Sequence, residues 1–490
     1  MKYIGLDSSV FPSKTYTFDD ALSKVGFGSY QLKAYLILGL ILVNDGSEAI
    51  VLSLVQNILK REWSLTPAQN DFIGTTVFSG FLLGSLTGKI SDHFGRKKPL
   101  CYLSILLYIF ALASAFASNY TSLLIIRAAY GCLVGIQFPL CFTYLTEITP
   151  KENRGKYLVI AGGFFTIGEL FTCFSAFYTL DGISSGNWRL LLVYVAQPAL
   201  LCFLGVVFFL HESPRYLFAV KHEYEEGTEI LQKIYQQNSQ NIELTDNEIQ
   251  GLKEWVETNE NLKSQEVASI SALFSGKNKF TTIYLWPIWF ALCLGYYGMV
   301  YILPQIVEKL HLSTQNKQDD LWSITLPAIG EIPSVILGCL VVERASLGRR
   351  KSMLIGFLFG ALFCALAVFE SHFDIWTIAA RMIYNTLFII VSPYTTELYP
   401  TTIRATGLGM ASAFSRIGGA SATWFSQELL RMDVKMPFLG FSCLCLLGAF
   451  CCWMINQETT NQELDIDINK RELSAKNGVN FELSIHDDEK

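Results

Sequence analysis

Tyr144-Leu-Thr-Glu147-Ile-Thr-Pro150-Lys-Glu-Asn-Arg154 returns later as Tyr394-Thr-Thr-Glu397-Leu-Tyr-Pro400-Thr-Thr-Ile-Arg404, with Tyr, Glu, Pro and Arg each displaced by 250 residues. Two shorter motifs keep nearly the same step. Gly95-Arg96-Lys97-Lys98 recurs as Gly348-Arg349-Arg350-Lys351 at an offset of 253, and Arg127-x-x-Tyr130 as Arg381-x-x-Tyr384 at 254. Three motifs in register mean that the chain repeats one unit twice. Duplicated halves are a sign of membrane carriers that rock two bundles about a site at the bilayer midplane.

Composition points to the same solvent. Of 490 residues, 51% are hydrophobic and only 16% charged, with a mean hydropathy of +0.34, against roughly 25% charged in soluble domains. A membrane-spanning helix needs about 20 mostly apolar residues. Twelve such stretches are read near 33–56, 71–90, 100–118, 121–145, 157–178, 189–210, 281–303, 321–342, 352–370, 374–395, 405–427 and 436–456. They fall six and six around a polar segment. The expected fold is therefore all-α, two six-helix bundles at 33–210 and 280–456 joined by a helical loop at 211–279, with terminal segments 1–32 and 457–490. Glu225 to Gln236 and Asn247 to Val256 read as helices of that loop.

Lys and Arg orient the chain. With the N-terminus cytoplasmic, inner segments carry 27 basic residues against 7 outside, while Arg127, Arg381 and Arg416 lie within spans. Both termini are thus expected in the cytoplasm. No cleavable leader is read in residues 1–30, so the first span is expected to act as the insertion signal. The sequon Asn119-Tyr120-Thr121 falls in a very short outer turn. Residues 457–490 and 211–279 each carry a net charge of −5, leaving the membrane body mildly basic. A net charge of −6 argues against nucleic-acid binding. The twelve Cys sit almost wholly in apolar runs, as at Cys101, Cys132, Cys202 and Cys364, without zinc-ligand spacing.

Gly88-Lys-Ile-Ser-Asp92-His-Phe-Gly95-Arg96-Lys97 resembles the loop between helices 2 and 3 of the major facilitator superfamily, and Arg127-x-x-x-Gly131-x-x-x-Gly135 resembles its helix-4 motif. Glu212-Ser-Pro-Arg215 after the sixth span is similar to the sugar-porter and organic-ion branches. Asp45-Gly-Ser-Glu48, Glu62-Trp63, Tyr296-Tyr297-Gly298, Glu331-Ile-Pro333 and Gly407-Leu-Gly409 with Arg416-Ile-Gly418 resemble the synaptic-vesicle-two-related and niacin-transporter type. The resemblance spans roughly residues 25–456. It implies alternating-access transport of a small organic solute, with protons as a candidate coupling ion, no cofactor and a chain working as a monomer. His93 stands where an Arg is usual, Glu343-Arg344-Ala-Ser-Leu-Gly348 is longer than the usual Asp-Arg-x-Gly, and the large outer domain of the synaptic vesicle glycoproteins is lacking.

Charged residues inside spans are costly and point to function. Asp45 and Glu48, three apart, share one helix face. Opposite chain directions bring Glu48 to the depth of Arg127, and the superfamily fold sets those helices side by side. An acid beside Arg stays ionised, whereas one left alone in apolar surroundings favours its protonated form. Separating such a pair would take up or release a proton; the plainer alternative is a static tie between helices. Glu331 and Arg416 read as a second candidate pair, and Glu169 as a buried acid with no partner visible in sequence. Arg381 joins the candidates as the duplicate of Arg127. Tyr296 and Tyr297, with Trp286 and Trp289, form an aromatic cluster able to hold an organic cation or a flat ring, although Trp286 also fits an interfacial belt. Pro304, Pro327 and Pro333 are expected to kink the seventh and eighth spans. Asp92, Arg96, Glu147 and Arg154, repeated in Arg349, Glu397 and Arg404, could make a cytoplasmic gate whose ion pairs form in one state and break in the other.

Other chemistries find no support. There is no Walker-type loop and no nucleophile motif. Gly84-x-x-x-Gly88 and Gly131-x-x-x-Gly135 fit close helix packing. A non-transporting receptor or trafficking protein is the alternative, but that reading predicts loss of the intramembrane charges or a large outer domain. Cation, carboxylate and sugar substrates stay open at this point.

Overall fold

The computed structural model of the protein describes residues 16–86, 94–238, 244–263, 270–276, 278–310, 317–343, 348–369, 373–399 and 401–459. In the first half, α1 (Phe18–Val25) leads into α2 (Ser29–Glu62), α3 (Pro67–Leu86), α4 (Lys97–Ala115), α5 (Tyr120–Ile148), the consecutive α6 (Arg154–Gly162) and α7 (Phe164–Thr179), and α8 (Trp188–Phe209). A small hairpin, β1 (Leu180–Gly182) with β2 (Ser185–Gly186), closes the turn before α8. Two polar helices follow, α9 (Tyr224–Gln237) and α10 (Asp246–Lys263). The second half holds α11 (Asn278–Leu310), the consecutive α12 (Lys317–Ile329) and α13 (Ile332–Glu343), α14 (Arg349–Phe369), α15 (Phe373–Leu398), α16 (Thr401–Met432) and α17 (Met436–Met454).

Among the described residues ten helical stretches are long and apolar enough to cross a membrane, with α6–α7 and α12–α13 each counting as one. The two other spans read from the sequence coincide with α3 and α16. Both are long enough, but Gln69, Asn70 and Asp71 in α3 and the many Ser, Thr and Gly of α16 dilute their apolar character. Leu83, Tyr102, Phe208, Ile336 and Trp453 are among the large apolar side chains that point outward from the bundle. That is an inside-out surface for water and an ordinary one for lipid.

Glycines set how closely the helices approach. A Cβ added at Gly131 would strike the Val77 carbonyl, and one at Gly135 the Phe81 carbonyl, while Gly80 and Gly84 press on α5 in return. Gly88, the second glycine of the other spaced pair, lies outside the described residues. Gly46 of α2 and Gly168 of α7 nest in the same reciprocal way, and the Ser47 hydroxyl donates to the Gly168 carbonyl at 3.0 Å. These contacts are backbone against backbone, so no rotamer change can make room.

The halves meet along three seams, α2 with α11, α3 with α16, and α6–α7 with α12–α13. The helix α11 runs unbroken through Pro287 and Pro304, and Pro327 lies within α12. The true interruption falls at Gly330-Glu331, with Pro333 in the first turn of α13. The sequence reading assigned no helix to residues 1–32, yet α1 forms there. Thr17 and Asp20 make a capping box, and Phe18, Ala21, Leu22 and Val25 bury against Phe218, Leu231, Leu252 and Val256. A sequon-bearing turn also takes a structural role: Asn119 caps α5, its Oδ1 accepting from the Ser122 amide at 2.8 Å.

The packing yields a direct test. Gly131→Ala should cost about 1–3 kcal/mol or prevent assembly, because a methyl group must displace backbone. Gly162→Ala, where nothing lies within 4 Å of the added Cβ, should be neutral or stabilising by up to about 1 kcal/mol. Thermal melting of the two purified variants in detergent distinguishes them.

Candidate functional site

One helical turn of α2 carries both first-half acids. Three residues apart, Asp45 and Glu48 face the same way. Arg127 of α5 reaches Glu48 through Nη1, 2.6 Å from each carboxylate oxygen. The pair is buried, with Arg127 2% and Glu48 6% exposed, as expected where an unpaired charge would be prohibitive. Tyr130 packs under the guanidinium and accepts from Asn44 Nδ2 at 2.6 Å. The sequence expectation for Glu48 and Arg127 therefore matches the geometry.

Asp45 differs from its neighbour. Among the described residues it makes no ion pair or hydrogen bond, and its carboxylate faces a small cavity lined by Glu48, Ala49, Val77, Phe78, Phe81, Val134, Tyr297 and Tyr301. The cavity lies between the halves, since the tyrosines belong to α11 and the other lining residues to α2, α3 and α5. Its space of about 20 Å³ holds about one water and no organic solute. Arg416 of α16 sits within electrostatic range of Asp45, its guanidinium stacked 3.6 Å over the Phe81 ring. Phe78 meets the Tyr297 ring edge to face at 4.6 Å.

A second charged cluster lies where α7 meets the other half. Arg381 bridges two acids: Nη2 is 2.7 Å from Glu169 Oε2, and Nε is 2.7 Å from Glu331 Oε1. The Tyr296 hydroxyl stands 2.9 Å from Glu169 Oε1 and 3.0 Å from Glu331 Oε2. Asn385 Nδ2 donates to Glu331 Oε2 at 3.0 Å and to Thr166 Oγ1 at 3.2 Å. Arg381, Glu169 and Glu331 have no exposed surface.

This arrangement corrects two sequence expectations. Glu331 does not pair with Arg416, because the break at Gly330-Glu331 turns its carboxylate toward α15 and α11 while Arg416 lies on Phe81. Glu169 does have a partner, Arg381 on the other half. The tyrosines also part company: Tyr297 lines the cavity, whereas Tyr296 belongs to the Arg381 cluster. Trp289 donates to Thr395 Oγ1 at 2.9 Å, and Trp286 packs between Phe274 and Phe414.

The two ends of the bundle are built differently. At the Glu62 end, charges tie one half to the other: Arg61 to Glu308 at 2.5 Å, and Arg431 to Asp71 at 2.8 Å. None of these four residues was singled out in sequence, since they lack any repeat and fall where spans meet loops. At the Gly95 end, the repeated motifs make pairs within each half. Arg96 Nη2 lies 3.1 Å from Glu147 Oε1, and Arg349 pairs with Glu397. Gly95 and Gly348 both have positive φ, 89° and 71°, which lets the next helix start sharply. Glu212 accepts from the Arg96 and Lys97 amides, and Glu458 from the Arg349 and Arg350 amides. Tyr144 and Tyr394 donate to the carbonyls of His211 and Gln457, each one residue before its glutamate. Glu458 was missed in sequence; it follows Glu212 by 246 residues, and each glutamate is followed by a hydroxyl residue, Ser213 or Thr459. Arg154 goes instead to Asp19 of the N-terminal segment at 2.7 Å. Asp92 lies outside the described residues, as does the side chain of Arg404. Burial, with Lys97 and Lys233 nearby, holds the His211 imidazole below its ordinary range.

Comparison with known proteins completes the site. A family described as "Sugar (and other) transporter" matches residues 53–468. A "Putative transporter svop-1" of Caenorhabditis elegans is 30% identical over 92% of this chain and 87% of its own length. An "Organic cation/carnitine transporter 7" of Arabidopsis thaliana is 26% identical over 92% of this chain and 96% of its own. Among solved structures, the partially occluded inward-open conformation of the xylose transporter XylE from E. coli superposes with a TM-score of 0.70, at 20% identity, covering 89% of this chain and 100% of that one. The shared fold is thus the major facilitator one. These relatives are carriers, so neither an enzyme nor a receptor is favoured.

The Glu48–Arg127 pair can be weighed on its own. Glu48→Gln should cost about 3–5 kcal/mol by leaving Arg127 buried without a counter-charge, whereas Glu48→Leu combined with Arg127→Met should recover most of that loss. Unfolding of the purified variants in detergent measures both.

Proposed function

We propose, from the premise that this chain belongs to the sugar (and other) transporter family, that it moves a small organic solute across a membrane by alternating access. The family and the many apolar helices make it a multi-pass membrane protein. On this reading α3 and α16 complete twelve spans as two bundles, 33–210 and 280–456. The loop 211–279 and the 457–490 tail lie in the cytoplasm with both termini, in the plasma membrane or a vesicle membrane, and the chain works as a monomer.

The observation that supports the proposal is the small cavity between the halves, lined by Asp45, which among the described residues makes no ion pair or hydrogen bond. Solute enters when one end opens and leaves when the other does. The Arg61–Glu308 and Arg431–Asp71 ties would hold one end shut, and would have to break for that end to open. Arg96–Glu147 and Arg349–Glu397, with Glu212 and Glu458 fixing the adjoining helix starts, would stiffen each half at the other end. Asp92, Arg154 and Arg404 extend the same proposed gate.

The lining favours an organic cation. Asp45 supplies a counter-charge, and Phe78, Phe81, Tyr297 and Tyr301 offer aromatic faces of the kind that hold cations. Arg416, 3.6 Å over the Phe81 ring, supports the reading that these aromatic faces can hold a cation. A carboxylate is the second reading, with Arg416 leaving Phe81 to receive it. Proton coupling would use Glu48: while paired with Arg127 it stays ionised, and pulled away from it the acid would take a proton.

Uptake into proteoliposomes across a panel of organic cations, carboxylates and sugars, with and without a pH gradient, tests this reading. An organic cation should accumulate, and Asp45→Asn should cut its uptake about tenfold or more. The fraction of Glu48→Gln protein that survives its loss of stability as folded carrier should keep exchange but lose the response to the pH gradient. No movement of any panel member by folded protein would refute transport, and full pH-driven uptake by Glu48→Gln would refute coupling there.

A further inference from the structure

The Arg381 cluster does not balance its charge. Two carboxyl groups, Glu169 and Glu331, face one guanidinium, and all three side chains have no exposed surface. With both acids ionised, the cluster would carry a net charge of −1 in an interior without exposed surface, where an uncompensated charge costs several kcal/mol. The other ionisable groups nearby do not supply the missing positive charge. Tyr296 faces both acids from α11, Tyr297 lies beside Tyr296, and the Cys173 thiol lies one turn beyond Glu169 on α7. Arg381 Nη1 meets no acceptor, so no further acid is drawn in.

Hydrogen-bond arithmetic leads to the same place. The Tyr296 hydroxyl lies within 3.2 Å of three carboxylate oxygens, one of Glu169 and two of Glu331. A hydroxyl has one hydrogen to give and lone pairs to accept with. It can donate to one acid, and its contact with the other is favourable only if that acid carries a hydrogen to donate back. Two acids that converge on one small group in a buried site share a proton rather than ionise together.

We infer that Glu169 and Glu331 hold one proton between them across the seam between the halves, relayed through the Tyr296 hydroxyl. The site is a second proton-binding site, separate from Glu48. Its partition between the halves gives it a direction. Arg381, Glu331 and Tyr296 belong to the second half and Glu169 to the first. When the seam parts, Arg381 and Glu331 remain a neutral pair that needs no proton. The proton then stays on Glu169 as its neutral acid, or passes to water and leaves the Glu169 carboxylate facing the opened space. No bond other than O–H is made or broken. The consequence for coupled transport rests on the function proposed above; the shared proton itself does not.

Infrared spectroscopy of the full-length protein in detergent or nanodiscs tests this without any transport assay. At neutral pH the wild type should show a protonated-carboxyl C=O band that shifts when glutamate side chains carry a ¹³C carboxyl. Glu169→Gln and Glu331→Gln should each abolish it, because the remaining acid then balances Arg381 alone. Tyr296→Phe should keep the band at a shifted frequency, and Asp45→Asn should leave it unchanged. The absence of a glutamate-labelled band in the wild type would overturn the inference even if a variant failed to fold. So would a band that survives both single substitutions. Failure of the uptake panel would leave these results standing.

Discussion

Charge buried away from water must be neutralised where it lies, and in this chain that rule organises the interior. Arg127 and Arg381 are duplicates 254 residues apart, and each is almost or wholly inaccessible. Arg127 takes its acid from α2 of its own half. Arg381 finds a tyrosine, Tyr296, on the corresponding helix α11, and takes its acids from the break between α12 and α13 and from α7 of the opposite half. The same ancestral cation thus serves a tie within one bundle and a latch between two.

That asymmetry gives the halves different work. The first half keeps a self-contained Glu48–Arg127 pair beside an acid, Asp45, that faces the cavity. The second half contributes Tyr297 and Tyr301 to that lining, with Arg416 behind Phe81. Glycine contacts hold α2 against α7 and α3 against α5 with backbone touching backbone, which stiffens the first bundle. The movable parts are the seams between the halves, where surface ion pairs such as Arg61–Glu308, each worth about 1 kcal/mol or less, can break at small cost.

Much of this was legible in the sequence because it depends on local periodicity and on repeats. The apolar runs located the helices, the i and i+3 spacing put Asp45 with Glu48, and the 250-residue repeat identified the residues of the Arg96–Glu147 and Arg349–Glu397 pairs. What could not be read was azimuth and docking. Glu331 looked like a partner for Arg416 because both lie in second-half spans, but the helix break at Gly330 turns Glu331 toward Arg381. Glu169 looked isolated because its partner lies across the seam, and no pattern within one half encodes a contact with the other. The helix α1 escaped notice for a related reason: its apolar face is short, and its buried partners Phe218 and Leu252 lie far along the chain.

The central claim is that the two halves rock about the Asp45 cavity. The most direct test measures two distances at once in liposomes, by electron–electron resonance between spin labels carried on noncanonical amino acids at exposed positions. One pair, Lys60 and Met432, reports the end tied by Arg61–Glu308 and Arg431–Asp71; the other, Lys98 and Lys351, reports the opposite end. The account predicts reciprocal populations, in which the Lys60–Met432 distance lengthens as the Lys98–Lys351 distance shortens when the pH or a transported solute is changed. Two distances that stay fixed under every condition, or that lengthen together, would contradict it.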